Sequence, residues 1–203
     1  MDVARGLARE AVTEYGASLP EMQECDIRIE ISEGKGASVE NGAVRHSGDD
    51  YGFSLGVHAL AGNNALGSGY VGKQLGASDT KFLGRVLRES IDESHARALA
   101  NARAKERARG IYKLLGGSLA DLSWAQVPIE KKVIEPVYKQ DPREVGLPTV
   151  ISAATSASRA ISELSPSVAY NAVAASTGII RECFVSSEGI EIDAAYAQTE
   201  AMV

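Results

Sequence analysis

Asp26-Ile27-Arg28-Ile29-Glu30-Ile31 alternates charged side chains with isoleucines, so a period of two puts three β-branched residues on one face and Arg28 and Glu30 on the other. That is the pattern of a half-buried strand. Working outward, Gly34-Lys35-Gly36 reads as a break, after which Ala37 to Glu40 and Ala43 to Ser47 flank Asn41-Gly42, the dipeptide best suited to the positive φ angles of a two-residue hairpin. Tyr51 to Leu60 and Ala65 to Val71 form a longer pair, joined through Ala61-Gly62-Asn63-Asn64. Asp26 to Gly72 is therefore expected to be an antiparallel meander around which the chain is organised.

On its amino-terminal side, Val3, Leu7, Ala8, Ala11, Val12 and Tyr15 recur at helical spacing until Gly16 and Pro20 end the pattern. On the other side, Ser78-Asp79 offers N-cap chemistry for a long helix to about Gly110, with Leu83, Val86, Leu87, Ile91, Ala98, Leu99 and Ala102 as its apolar stripe. A connector of about 111–147 is broken by Gly116-Gly117 and by prolines, with Val127 to Val137 as a candidate edge segment. Pro148 opens a third helix with Val150, Ile151, Ala154, Ile161 and Leu164 as its stripe, and Ser165-Pro166 stops it. Three closing strands are expected, Val168 to Ser176, Ile179 to Ser186 and Ile190 to Thr199, separated at Ser176-Thr177-Gly178 and Ser187-Glu188-Gly189. The order predicts a single α+β domain, 1–203, with an antiparallel sheet of two meanders and long helices packed on one face.

Composition narrows the function classes. Aromatic residues make up only 5% of the 203 residues, so the core must come from Ile, Val, Leu and alanines packed closely. A net charge of −6 argues against nucleic-acid binding, although Arg97, Arg103, Lys105, Arg107 and Arg109 gather at the end of the long helix, where a solvated helix end is the plain reading. Cys25 and Cys183 lie far apart without metal-ligand spacing and read as reduced thiols. The amino terminus has no secretory apolar segment and no run approaches a membrane span, so a soluble cytoplasmic protein with no membrane partner is expected.

No catalytic or metal-binding motif stands out, and none is expected in this chain. His46, His58 and His95 sit in no recognisable constellation, although His46 and His58 could approach across neighbouring strands near Asp49 or Asp50. Gly67-Ser68-Gly69 lies inside a strand pattern and not at a strand-to-helix elbow. Glu188, Glu191 and Asp193 gather beside the last turn, and alternation predicts a solvated outward face for the last two.

The succession of elements carries more than any motif. The opening helix, Asp26-Ile27-Arg28-Ile29-Glu30, the Asn41-Gly42 hairpin, Gly56-Val57-His58 leading to Gly62, the alanine-rich helix after Asp79, Asp141-Pro142 and Val185-Ser186-Ser187-Glu188-Gly189 resemble the amino-terminal region of the TldD/PmbA family, historically called modulators of DNA gyrase. The resemblance covers nearly the whole chain, and Asn41, Gly42, Gly62, Glu188 and Gly189 are its structural turns. His58 stands where that family favours Arg. The resemblance implies a zinc-dependent peptidase system that degrades unfolded or modified peptides and works as a homo- or hetero-dimer of related subunits. Its metal motif, His-Glu-x-x-x-His, belongs to a carboxy-terminal domain absent from this chain, so zinc is expected there and no cofactor here. The ending Ala201-Met202-Val203 is read as that of a fragment. The implied role is substrate access and dimerisation; the alternatives are a non-catalytic partner subunit or peptide-binding module, and a gyrase- or DNA-interacting modulator.

Overall fold

A computed structural model describes residues 1–117, 131–136 and 138–203. The chain begins with α1 (Asp2–Glu10), which continues into a wider π-helical turn, Ala11–Gly16. Ala4, Ala8, Ala11 and Val12 are buried along this stretch, whereas Val3, placed in the expected stripe, is exposed. The long strand β1 (Met22–Glu40) follows, then β2 (Ala43–Ala61) and β3 (Gly67–Gln74). A short helix α2 (Ala77–Lys81) precedes α3 (Leu83–Leu114); Asp79 accepts a hydrogen bond from the Gly76 amide at 2.8 Å and closes the α2 amino terminus. Helix α3 thus runs into the expected connector. After β4 (Lys131–Ile134) and a 3₁₀ turn at Pro142–Glu144 come α4 (Leu147–Leu164), β5 (Ala172–Ser186) and β6 (Glu191–Met202).

These strands form one six-stranded mixed sheet in the order β3-β2-β1-β5-β6-β4. Strands β2 and β3 are antiparallel, from Ser54 opposite Gln74 to Ala61 opposite Gly67. Strands β1 and β5 also run oppositely, since Cys25 meets Ser187 while Asn41 meets Asn171. The expected α+β class, with helices on a sheet, is what the chain adopts. Strand β4 occupies a sheet edge, as foreseen for part of Val127 to Val137; residues 127–130 and Val137 lie outside the described set.

Two expected breaks are interior to strands. Gly34-Lys35-Gly36 lies within β1, and Ser176-Thr177-Gly178 lies within β5, so two strands close the chain together where three were expected, and the second meander is a hairpin. The reason is close approach. A Cβ on Gly178 would stand 2.6 Å from the Glu33 carbonyl oxygen, and one on Gly34 would stand 3.2 Å from that of Thr177. These glycines let two backbones meet, a role that a sequence cannot distinguish from a turn. Likewise Ala43 to Ser47 and Tyr51 to Leu60 belong to the single strand β2.

The chain divides into two compact units. The first comprises Met1–Ile29, Phe53–Val133 and Glu182–Asp193. Its core joins Ala8 and Val12 of the first helix, Ile27 and Ile29 of β1, Leu55 and Val57 of β2, Leu83, Leu87 and Ile91 of α3, and Cys183 and Val185 of β5. The predicted α3 stripe is therefore the packed face, and Ser90, Ser94 and His95 are buried in it as well. The second unit comprises Glu30–Gly52, Ile134–Arg181 and Ala194–Val203. There α4 sets Val150 and Ala154 against Ala37, Val39 and Val173; Leu164, expected in the α4 stripe, is exposed.

Candidate functional site

In the first unit, the face of β1, β2 and β3 carrying Glu24, Asp26, His58 and Ser68 alternates with the buried positions Cys25, Ile27, Val57 and Val71. Because Leu60 lies opposite Ser68 and His58 opposite Tyr70, the His58 and Ser68 side chains meet diagonally across the β2–β3 ladder, with His58 Nε2 and Ser68 Oγ 2.6 Å apart. On the other side His58 Nδ1 faces Asp26 Oδ2 at 3.5 Å. With the Nδ1 proton turned toward that carboxylate, Nε2 accepts the Ser68 hydroxyl. The serine, histidine and aspartate that the sequence left unconnected are thus one row across three strands. No linear motif could have announced it, since it depends on the β1–β2–β3 register.

Glu24 lies beside this row, and its carboxyl is pushed above the usual range, first by burial and then by the charges of Glu188 and Asp26, with His58 opposing. Among the described residues, its enclosed Oε2 atom has no hydrogen-bond partner. Cys25, on the opposite side of β1, is a buried thiol pushed up to about 12 by burial, followed by the Asp26 charge, which makes it an inert core residue. The row has the nucleophile–base contact of acyl-transfer sites, but Ser68 stands in a strand and not at a strand-to-helix elbow.

The flanking glycines have a structural explanation. Cβ atoms on Gly67 and Gly69 would stand 2.2 Å from the Ala102 amide nitrogen and 2.0 Å from the Ser94 carbonyl oxygen. The Gly-Ser-Gly stretch is therefore a seat for α3, which lies directly on β3 and closes its edge. Ser94 donates to the Gly69 carbonyl at 2.9 Å, Asn101 to that of Ser68 at 2.7 Å and Arg97 to that of Tyr70 at 2.6 Å. Arg97 also pairs with Glu93, and Arg109 donates to the Asn64 carbonyl at 2.7 Å. The basic end of the helix holds β3 and the loop before it. His95, buried, donates from Nε2 to the Pro20 carbonyl at 2.8 Å.

Glu191 and Asp193 correct an expectation. They pair with Arg9, at 2.6 Å, and with Arg5, so the predicted solvated face is an ion-paired seam against α1. His46 and His58 occupy opposite ends of the same strand and cannot approach across neighbouring strands as the sequence allowed. Among the described residues, no group of three His, Cys, Asp or Glu is placed to hold a metal ion.

The turn residues fall as follows. Asn41 (φ 48°) and Gly42 (φ 79°) join β1 to β2, Gly62 (φ 130°) follows β2, and Glu188 and Gly189 (φ 89°) join β5 to β6. In the second unit the first of these is tied down by buried polar groups. The Gly42 amide donates to Ser158 Oγ at 2.9 Å, the Asn171 amide to Asn41 Oδ1 at 2.9 Å, and Ser158 to the Asn171 side chain. Asn171 Nδ2 in turn donates to Ser162 at 2.9 Å. A separate cavity of about 270 Å³ is lined by Glu30, Glu33, Asp50, Thr177 and Gln198 around the glycine crossing.

These features define an α+β sheet protein whose polar row lies on one sheet face and whose β3 edge is sealed by a helix. Among solved structures it is similar to TldE from Thermococcus kodakarensis, at 15% identity and TM-score 0.56, over 96% of this chain and 38% of that one. It is also similar to a Bacteroides thetaiotaomicron protein described as a candidate modulator of DNA gyrase, at 15% identity and TM-score 0.52, over 99% of this chain and 39% of that one. Both are TldD/PmbA family members, and what they share with this chain is the fold. No protein-family model and no curated protein sequence matches the chain. No described helix is long and apolar enough to cross a membrane.

Proposed function

We propose that this chain is the amino-terminal region of a TldD/PmbA-type protein, and that it serves a peptide-cleaving assembly through substrate access and subunit contacts, without supplying catalytic groups. The observation that carries this reading is fold similarity to TldE extending over 96% of the chain. The local chemistry agrees with it. The Ser68–His58–Asp26 row is a cross-strand polar contact, and the groups that would bind and activate a metal in such a system lie outside this stretch in the family it resembles.

A DNA-interacting role is the weaker reading, because Arg97 and Arg109 are engaged with backbone carbonyls and Glu93. The test uses the gene product that carries this chain, mixed with a TldD-type subunit from the same genome. Size-exclusion chromatography with light scattering and cleavage of an unstructured peptide are read together. Co-elution with cleavage that a zinc chelator stops supports the proposal; separate elution with cleavage unchanged by the added chain overturns it.

A further inference from the structure

Helix α3 outruns the strand it packs on. Ala102 is its last buried residue, and the helix continues to Leu114, about 18 Å further at a rise of 1.5 Å per residue. This extension is basic first and apolar at its end. Arg103, Lys105, Arg107 and Arg109 come first, and Glu106 is the one carboxylate between Arg103 and Leu115. Ile111, Tyr112, Leu114 and Leu115 then stand around Lys113, all exposed, Leu114 at 88% and Leu115 at 80% of their surfaces. The helix end is closed by its own backbone. Gly116 is left-handed (φ 77°), its amide donates to the Lys113 carbonyl at 3.2 Å, and the Gly117 amide donates to the Tyr112 carbonyl at 2.8 Å. Two carbonyls that a helix end ordinarily leaves to water are thus partnered, which lowers the cost of taking this end out of water.

We propose that the end of α3 docks on an anionic lipid surface, with Ile111, Tyr112, Leu114 and Leu115 entering the boundary between headgroups and acyl chains. Arg103, Arg107 and Lys113, all exposed, meet the lipid phosphates and carboxylates. The inference goes beyond the proposed function and stands without it. Arg107 lies about 10 Å behind Leu114 along the axis, which matches the roughly 5–10 Å to which interfacial helices sink their apolar groups. The sign of the charge selects the lipid: a chain of net charge −6 is repelled by an anionic surface except where it presents this end. Nucleic acid offers phosphates but no apolar phase to take two exposed leucines. A helix-binding groove on a protein reads an apolar stripe along the axis, whereas Arg107 stands on the face of Ile111 and Leu114, four and seven residues before them. The expectation of no membrane partner rested on the lack of a spanning segment, which a helix end held against one leaflet does not need.

The test is flotation of the full chain with vesicles of phosphatidylcholine alone and of phosphatidylcholine carrying about one-third phosphatidylserine, at low and at physiological salt. Binding to the anionic vesicles should exceed that to the neutral ones about tenfold or more and should weaken as salt rises. Leu114→Ser with Leu115→Ser should lower it about tenfold, and so should Arg107→Glu with Lys113→Glu. All four positions are exposed, and unchanged far-ultraviolet circular dichroism checks that the variants keep the fold. A polarity-sensitive fluorophore on Gly110→Cys, where a Cβ meets nothing within 4 Å, should shift to the blue on anionic vesicles only. Cys25 and Cys183 are buried and take no label. No binding to anionic vesicles overturns the proposal, and so does binding that survives the double serine variant. Binding to a DNA duplex as tight as to the vesicles also overturns it, since the cations would then be a general polyanion site.

Discussion

Two edges of one strand system are handled in opposite ways. Strand β3 is sealed: Gly67 and Gly69 bring α3 into backbone contact, and Ser94, Arg97 and Asn101 occupy successive carbonyls. Among the described residues, the Ala43 to Gly52 stretch of β2 has no strand on its outer side, with Arg45, His46, Asp49 and Asp50 along it. Glycine occurs in both places with different meaning. At Gly69 the missing side chain is space already filled by a helix, whereas at Gly48 it is open space. The contrast shows that an edge can be protected either by burial or by charge, and that only the charged kind remains available to a partner.

The largest effect should come from breaking the sealed edge. Gly69→Val forces a side chain into α3 and is expected to cost about 3 kcal/mol or more, while Gly48→Ala on the outer edge should stay within about 0.5 kcal/mol, both measured by urea unfolding of dilute protein. A smaller contrast isolates the hydrogen bonds. Asn101→Ala removes the donor from the Ser68 carbonyl and should cost about 1 kcal/mol, whereas Asp49→Ala should be nearly silent in the same assay. The smallest effect concerns Glu24, on β1 beside Asp26 and His58. Its raised carboxyl means that the folded state disfavours the ionised form, so this group's contribution is most favourable at low pH and is lost as pH rises through the raised value. Glu24→Gln should therefore flatten that part of the stability profile and add roughly 0.3 kcal/mol at neutral pH, a small gain because solvent screens the site, read as unfolding midpoints across pH.

How much of this was legible in the sequence depended on whether the signal was periodic or relational. The Ile27 and Ile29 alternation and the Leu83, Leu87 and Ile91 stripe stated their own burial, since one side-chain period is enough to define a face. Asn41-Gly42 stated its own turn. Gly34, Gly36, Gly67, Gly69 and Gly178 did not declare their purpose, because a residue that permits a turn also permits a second backbone to approach, and only the neighbour decides. The His58–Ser68–Asp26 row was hidden for the same reason, being written in three separate strands. The buried serines at 90, 94 and 158 were missed because a hydroxyl that finds a carbonyl or an asparagine is as much at home in a core as an alanine.

The hairpin network has a consequence in the chemistry of ageing. Asparagine followed by glycine is the pair most prone to deamidation, which proceeds when the glycine amide nitrogen attacks the asparagine side-chain carbonyl. Here the attacking Gly42 nitrogen is held by Ser158, and the Asn41 oxygen is held by the Asn171 amide. Folding therefore keeps the two reacting groups on separate partners. The turn that is most perishable in the unfolded chain becomes durable in the folded one, and deamidation at Asn41 would serve as a slow clock for the time the second unit spends open.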